Sequence, residues 1–284
     1  MSHPPPNTPY EYPISLDCEL EFVQIEDDLL LRKLDESTRE RLLGITDVEL
    51  DSEGRVAKYT SKAGYDKLLS PDLDRTIAFY ASNFTLVSSS TSRASDFNFA
   101  LKLLSHSRSS LYIGYAQKGA VAFQSPPGYF GKNRLCLTSS TVTELKALLN
   151  AVVQRSGDAK LSLMRDIWMY AMSDAPRRES RFVEVSTLLE MLLLPKQSTE
   201  LGFRFALRLS KLAEKFGFGR SRATFDQAKT LYSIRSKLVH GGTDSRLVKH
   251  EAIAYEFARK LLGIYLVDPA VFDEDALDTL CIAA

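Results

Sequence analysis

The sequence has little that would announce a chemistry. Its three cysteines, Cys18, Cys136 and Cys281, lie far apart and form no CxxC pair, which argues against both a zinc ribbon and a disulfide framework. A reducing, cytoplasmic compartment is the natural expectation for such usage. Of the four histidines, His106 and His250 have no Cys or carboxylate at ligand spacing, so neither a metal site nor a cofactor is expected. There is no phosphate-binding glycine loop, no nucleophile-elbow serine motif and no internal repeat. Cys136, in RLCLT, reads as a strand core residue. Long hydrophobic runs are missing as well. The stretch LLEMLLLP carries Glu190 and stops at Pro195, far short of a membrane span. MSHPPPNTPYEYP lacks the basic-then-apolar order of a signal peptide and reads as a proline-rich tail over residues 1–13.

Net charge is absent too, since 36 Lys and Arg balance 36 Asp and Glu over 284 residues. The balance hides an asymmetry. Residues 1–155 hold 17 basic and 19 acidic side chains, residues 156–267 hold 19 and 12, and the tail from Asp268 holds none and 5. A positive module attracts polyanions, RNA foremost, although the same excess spread over several helices also describes a solvated surface.

What is present is a change of texture near Ser156-Gly157, and the expected class is α+β. Residues 14–156 read as a mixed, β-rich α/β domain. Ile14, Leu16, Cys18, Leu20 and Phe22 alternate as in one half-buried strand, and further β-rich runs stand at 76–88, 111–116, 119–124 and 134–138. Helices are expected near 96–105 and 141–155, with SSSTSRAS (88–95) as a surface loop. Residues 157–267 read as an all-α bundle of about five helices, over 160–174, 178–194, 199–216, 222–240 and 247–266, and residues 268–284 as an acidic tail. That tail either covers the basic face or is a solvated end. The segment 178–194 turns apolar on nearly every side, which places it in the middle of its bundle. Glu190 interrupts the apolar run and needs either an arginine partner or a way to solvent.

The run YSIRSKLVHGG, residues 232–242, holds the remaining signal. On an ideal helix Phe225, Ala228, Leu231, Tyr232, Leu238 and Val239 form one apolar arc, with Arg235 near its centre and Ile234 outside it. Arg235 is the obvious partner for Glu190. His240 stands before two glycines, the pattern of a left-handed helix cap, at about 140° from Arg235 on a regular helix. The two share a site only if the cap swings the imidazole back or if two copies of the helix meet across a two-fold axis. An arginine fork matches phosphate oxygens and stabilises developing charge, and an imidazole exchanges protons with a ribose 2′-OH or a leaving oxygen. Ser236 either adds a hydroxyl to the phosphate or faces solvent. Arg204, Arg208 and Lys211 share one helix face, and Arg220 and Arg222 precede the motif helix. With Lys237 they are candidate RNA-backbone contacts or simply solvated charges.

Residues from about 160 to 266 resemble the HEPN superfamily, and within it the ApeA-like branch. RFVEVSTLLEMLLLP is similar to that branch's helix with an interior Glu, ELGFRFALRLSKLA to the next helix, and YSIRSKLVHGG to its R-x4-H motif with flanking Tyr and Gly. The likeness covers roughly 40% of the chain. It implies a helical bundle that dimerises and joins two motifs in one cleft, and a metal-independent endoribonuclease used as a toxin or in antiviral defence. Arg235 and His240 would be its catalytic pair, with Ser236, Glu190 and Tyr232 in support and the N-terminal domain as a sensor for a partner or ligand. Many active members carry Asn, Asp or His where Ser236 stands. Other members are non-catalytic dimerisation modules that bind RNA, a nucleotide or a partner protein, and that is the alternative reading.

Overall fold

A computed structural model describes residues 10–15, 17–35, 37–38, 45–50, 56–61, 84–104, 112–117, 120–123, 136–172, 177–196 and 199–282. The chain divides into two compact units at Val153/Gln154, three residues before the expected 156/157 boundary. The architecture is α+β.

The first unit is built on a six-stranded antiparallel sheet. Its strands are β1 (Tyr10–Ser15), β3 (Phe22–Glu26), β4 (Leu29–Lys33), β7 (Phe84–Ser88), β8 (Tyr112–Gln117) and β9 (Ala120–Phe123), in the order β3-β4-β7-β1-β8-β9. Two short ladders accompany it, β2 (Asp17–Cys18) with β10 (Cys136–Leu137) and β5 (Ile45–Leu50) with β6 (Val56–Ser61). Helices α1 (Thr91–Leu104) and α2 (Ser139–Gln154) share one core with the sheet. Ile14, Val23, Leu29, Leu31, Phe84 and Leu86 meet Phe97, Leu101, Leu145 and Leu149 in it, burial of the kind that contributes roughly 1.5–3 kcal/mol per large side chain.

Several expectations are corrected here. The alternating run 14–25 is three strands rather than one, because the chain turns at 19–21 and again after Glu26. Tyr10–Pro13 belongs to β1 instead of a free tail, and Pro13 stands opposite Thr85 of β7. Thr91–Ser95 starts α1 rather than prolonging a loop. Cys136 is exposed, while Leu137 beside it in the same strand takes the buried side. His106 lies outside the described residues.

The second unit contains α3 (Ala159–Ala171), α4 (Arg178–Leu193), α5 (Leu201–Lys215), α6 (Ser221–Val239), α7 (Leu247–Val267), a 3-10 turn at Pro269–Phe272 and α8 (Glu274–Ile282). Helix α4 touches α3, α5, α6 and α7 and buries Phe182, Val185, Leu188, Leu189, Leu192 and Leu193, which is why its sequence is apolar on so many sides. Asp158 starts α3 by accepting the Leu161 N–H at 3.0 Å. It also accepts the Tyr265 hydroxyl at 3.0 Å, and Arg155 Nε donates to the Leu266 carbonyl at 2.7 Å. Together these tie the end of α7 to the start of the unit. Residues 274–282 are a helix packed on α5, so the segment expected as an acidic tail is an integral element.

Candidate functional site

Helix α6 carries the motif. Its buried residues are Thr224, Ala228, Leu231 and Ile234, so the core face is rotated by roughly 50° from the arc expected on an ideal wheel. Ile234, expected outside that arc, is fully buried, while Val239, expected within it, is largely exposed. The rotation follows from packing on both α4 and α5. Arg235 thereby sits at the flank of the core rather than under it, and is 27% exposed.

Arg235 Nη2 donates to Glu190 Oε2 at 2.8 Å. Of the two alternatives for Glu190, the arginine partner is the one found. Burial pushes the Glu190 carboxyl up from the usual range, and the neighbouring guanidinium opposes this only in part. The Arg235 Nε is buried with no hydrogen-bond partner. Tyr232, one turn earlier, lies against Phe205 of α5 with ring centroids 5.5 Å apart. Its hydroxyl is raised above the ordinary phenol value, first by burial and then by the Glu190 charge. The close approach depends on Gly202, where a Cβ would come within 3.0 Å of the Tyr232 ring. Glu190, Tyr232 and Arg235 therefore form one cluster, framed by α4, α5 and α6.

His240 is elsewhere. It is the cap residue of α6, with φ −86° and ψ 17°, and it is exposed. Gly241 takes φ +78°. The Gly241 N–H donates to the Leu238 carbonyl at 3.0 Å and the Gly242 N–H to the Lys237 carbonyl at 2.9 Å, the paired bonds of a Schellman cap. The helix stays regular to Val239, so the cap does not swing the imidazole back. No hydrogen bond or ion pair joins His240 to Arg235 among the described residues. Ser236, between them, is half-buried.

The candidate RNA contacts divide sharply. Arg208 is 1% exposed, with Nη2 on Glu274 and, at 2.6 Å, on Asp278, and Nη1 donating to the Leu193 carbonyl at 2.8 Å. Burial works against its charge, yet the two carboxylates outweigh that and raise its pKa. Arg204 also lies 3.6 Å from Asp278. Both belong to the packing of α8 on α5, and Arg208 is not a surface group. Arg220 is the exposed residue before α6, Arg222 pairs with Asp226 at 3.3 Å, and Lys237 is exposed with Nζ 4.0 Å from Asp244.

Sequence reasoning missed Asp244 and Arg246. Asp244 Oδ1 accepts both the backbone N–H and Nε of Arg246, at 2.9 and 3.0 Å, and Oδ2 accepts Nη2 at 2.7 Å. These bonds hold the Asp244 carboxyl far below the usual carboxylate range. An Asp two residues before an Arg, just past a glycine cap, was the available signal. His250 Nδ1 lies 2.9 Å from the Arg246 carbonyl. No group of three or more His, Cys, Asp or Glu suited to a metal ion occurs among the described residues, and no helix there is long and apolar enough to cross a membrane. No family model, no curated protein and no solved structure matches the chain.

Proposed function

We propose that the second unit is a HEPN-type, metal-independent endoribonuclease that works as a homodimer in the cytoplasm, as a toxin or antiviral-defence effector restrained by the first unit. The observation that carries this reading is the state of the two motif side chains. Arg235 is anchored through Nη2 alone while its side chain stays 27% exposed, and five residues later the His240 side chain is exposed with no partner. They lie about 140° apart around α6, so one chain does not bring both to one phosphate. Two chains related by a two-fold axis bring each arginine to the other's histidine.

In that composite site His240 takes the proton of a ribose 2′-OH. The 2′-oxygen attacks the adjacent phosphorus as the P–O5′ bond breaks, the 5′-oxygen takes a proton from water and His240 later returns its own to water, leaving a 2′,3′-cyclic phosphate and a 5′-hydroxyl. Arg235 donates to the phosphate oxygens as negative charge accumulates on them, and Glu190 fixes its approach. Single-stranded RNA incubated with the protein and a chelator is cleaved, and Arg235→Ala or His240→Ala abolishes cleavage. Mixing the two inactive variants restores about a quarter of wild-type activity, because half of the re-formed dimers then hold one intact site. Equal cleavage by wild type and either variant overturns the assignment, and no recovery on mixing overturns the shared site.

The Schellman cap favours a second reading, because it accounts for His240 as a helix end without chemistry. In that reading the unit is a dimerisation module that binds RNA, a nucleotide or a partner protein and turns nothing over. Cleavage that is lost in His240→Ala excludes it.

A further inference from the structure

The outer face of α6 is more ordered in its chemistry than a solvated helix requires. Arg222, Asp226, Lys229, Ser233, Lys237 and His240 are all exposed, and their spacing puts them in one stripe within about 80° of arc and about 27 Å long. The stripe lies opposite the buried Thr224, Ala228, Leu231 and Ile234. Arg246 joins it from the following loop, because its Nη2 donates to Ser233 Oγ at 3.2 Å while the Asp244 carboxylate grips the same guanidinium in a two-point fork. Asp244 is itself almost enclosed, with its side chain 5% exposed, whereas the side chain of Arg246 is 47% exposed. The arginine is thus oriented before any ligand arrives, which lowers the ordering cost of binding. The stripe, Arg246 and its partner Asp244 together carry four cations against two carboxylates, and the row ends at His240.

We propose that this stripe is the track along which the backbone of a single-stranded RNA reaches His240, with Arg246, locked by Asp244, as its pre-organised phosphate contact. The identity of the polyanion rests on the ribonuclease reading. A single strand fits that reading because in-line attack by a 2′-OH needs a backbone free to leave A-form geometry, and cations spaced along one helix face suit an extended strand. Arg208 is enclosed against the carboxylates of α8, whereas the stripe cations Arg222, Lys237 and Arg246 meet Asp226 and Asp244 with their own side chains 87%, 57% and 47% exposed.

The test is binding by the full chain carrying His240→Ala, which removes cleavage, measured by anisotropy of a labelled single-stranded RNA oligonucleotide across a salt series. Adding Lys229→Ala/Lys237→Ala/Arg246→Ala is expected to weaken binding at least tenfold and to lower the salt slope by about 2, as three lost single-strand phosphate contacts require. Arg177→Ala/Lys196→Ala/Lys215→Ala, which removes the same charge from exposed positions off the stripe, is expected to leave both nearly intact. Equal losses in the two triple variants, an unchanged slope in the first, or equal affinity for a blunt RNA duplex overturns the track. Stripe-dependent binding by a chain whose His240 form cleaves nothing overturns the ribonuclease reading and leaves the track standing. Cleavage by the His240 form with stripe-independent binding does the reverse.

Discussion

Two arginines of the second unit, Arg208 and Arg235, each meet an acidic partner from another helix, and they differ in what remains to spend. Arg208 is enclosed, 1% exposed, and its two terminal nitrogens are shared among Glu274, Asp278 and the last carbonyl of α4. It closes the end of one helix and clamps another. Arg235 is at the flank of the core, gives only Nη2 to Glu190 and keeps its side chain 27% exposed. A buried charge satisfied on all sides is a structural element, and removing it strands its partners. A half-buried charge held at one corner is a positioned group with donors left for something else.

Breaking each arginine sharpens the contrast. Arg208→Ala is expected to cost about 3–5 kcal/mol in urea unfolding, since it leaves the largely buried Glu274 and the Leu193 carbonyl without their donor. Arg235→Ala is expected to cost only about 1 kcal/mol in the same measurement, while cutting RNA cleavage by roughly 100-fold or more. Similar stability losses for both would erase the distinction.

Smaller effects separate the clusters further. The Glu190 carboxyl is raised in the folded state by burial, so the folded chain holds its proton to higher pH than the unfolded chain does. The stability from this group is therefore full below the ordinary carboxylate pKa and is lost as pH rises through the folded value. Unfolding curves for wild type between about pH 4 and 7 should show that decline, and Glu190→Gln should flatten it; an identical pH profile for the two proteins would contradict the assignment. Smallest of all, Gly241→Ala forces a side chain into φ +78° and is expected to cost about 1 kcal/mol. Wild-type cleavage in that variant would show that the cap positions His240 only loosely.

Much of the second unit was legible because local rules govern it. Expected helices over 178–194, 222–240 and 247–266 match Arg178–Leu193, Ser221–Val239 and Leu247–Val267 to within a residue at each end, with Pro195 following the first and the glycine cap ending the second. The apolar wrap of α4 signalled a helix surrounded by others, and Glu190 within it signalled a partner. The first unit was harder. The pairing of Leu29–Lys33 with β7 depends on partners more than fifty residues away, and period-two alternation does not show where a strand turns. For the same reason the sequence left open whether the acidic end covers the basic face or stands in solvent, since nothing local says that Glu274 and Asp278 meet Arg208.

By itself, the sequence determined the bounds of α4, α6 and α7, the left-handed cap at Gly241, the central place of α4 and the need of Glu190 for a cation or solvent, because capping, periodicity and the cost of burying charge act over a few residues. The tertiary structure decided which arginines are spent. It rotated the buried face of α6 toward Ile234, which set Arg235 at the flank, and folded the acidic end into α8, which consumed Arg208. It also turned the loop after the cap back so that Asp244 holds Arg246 over Ser233. Each of these outcomes depends on which surfaces helices bring together when they pack, and that is a property of the assembled bundle rather than of any one segment.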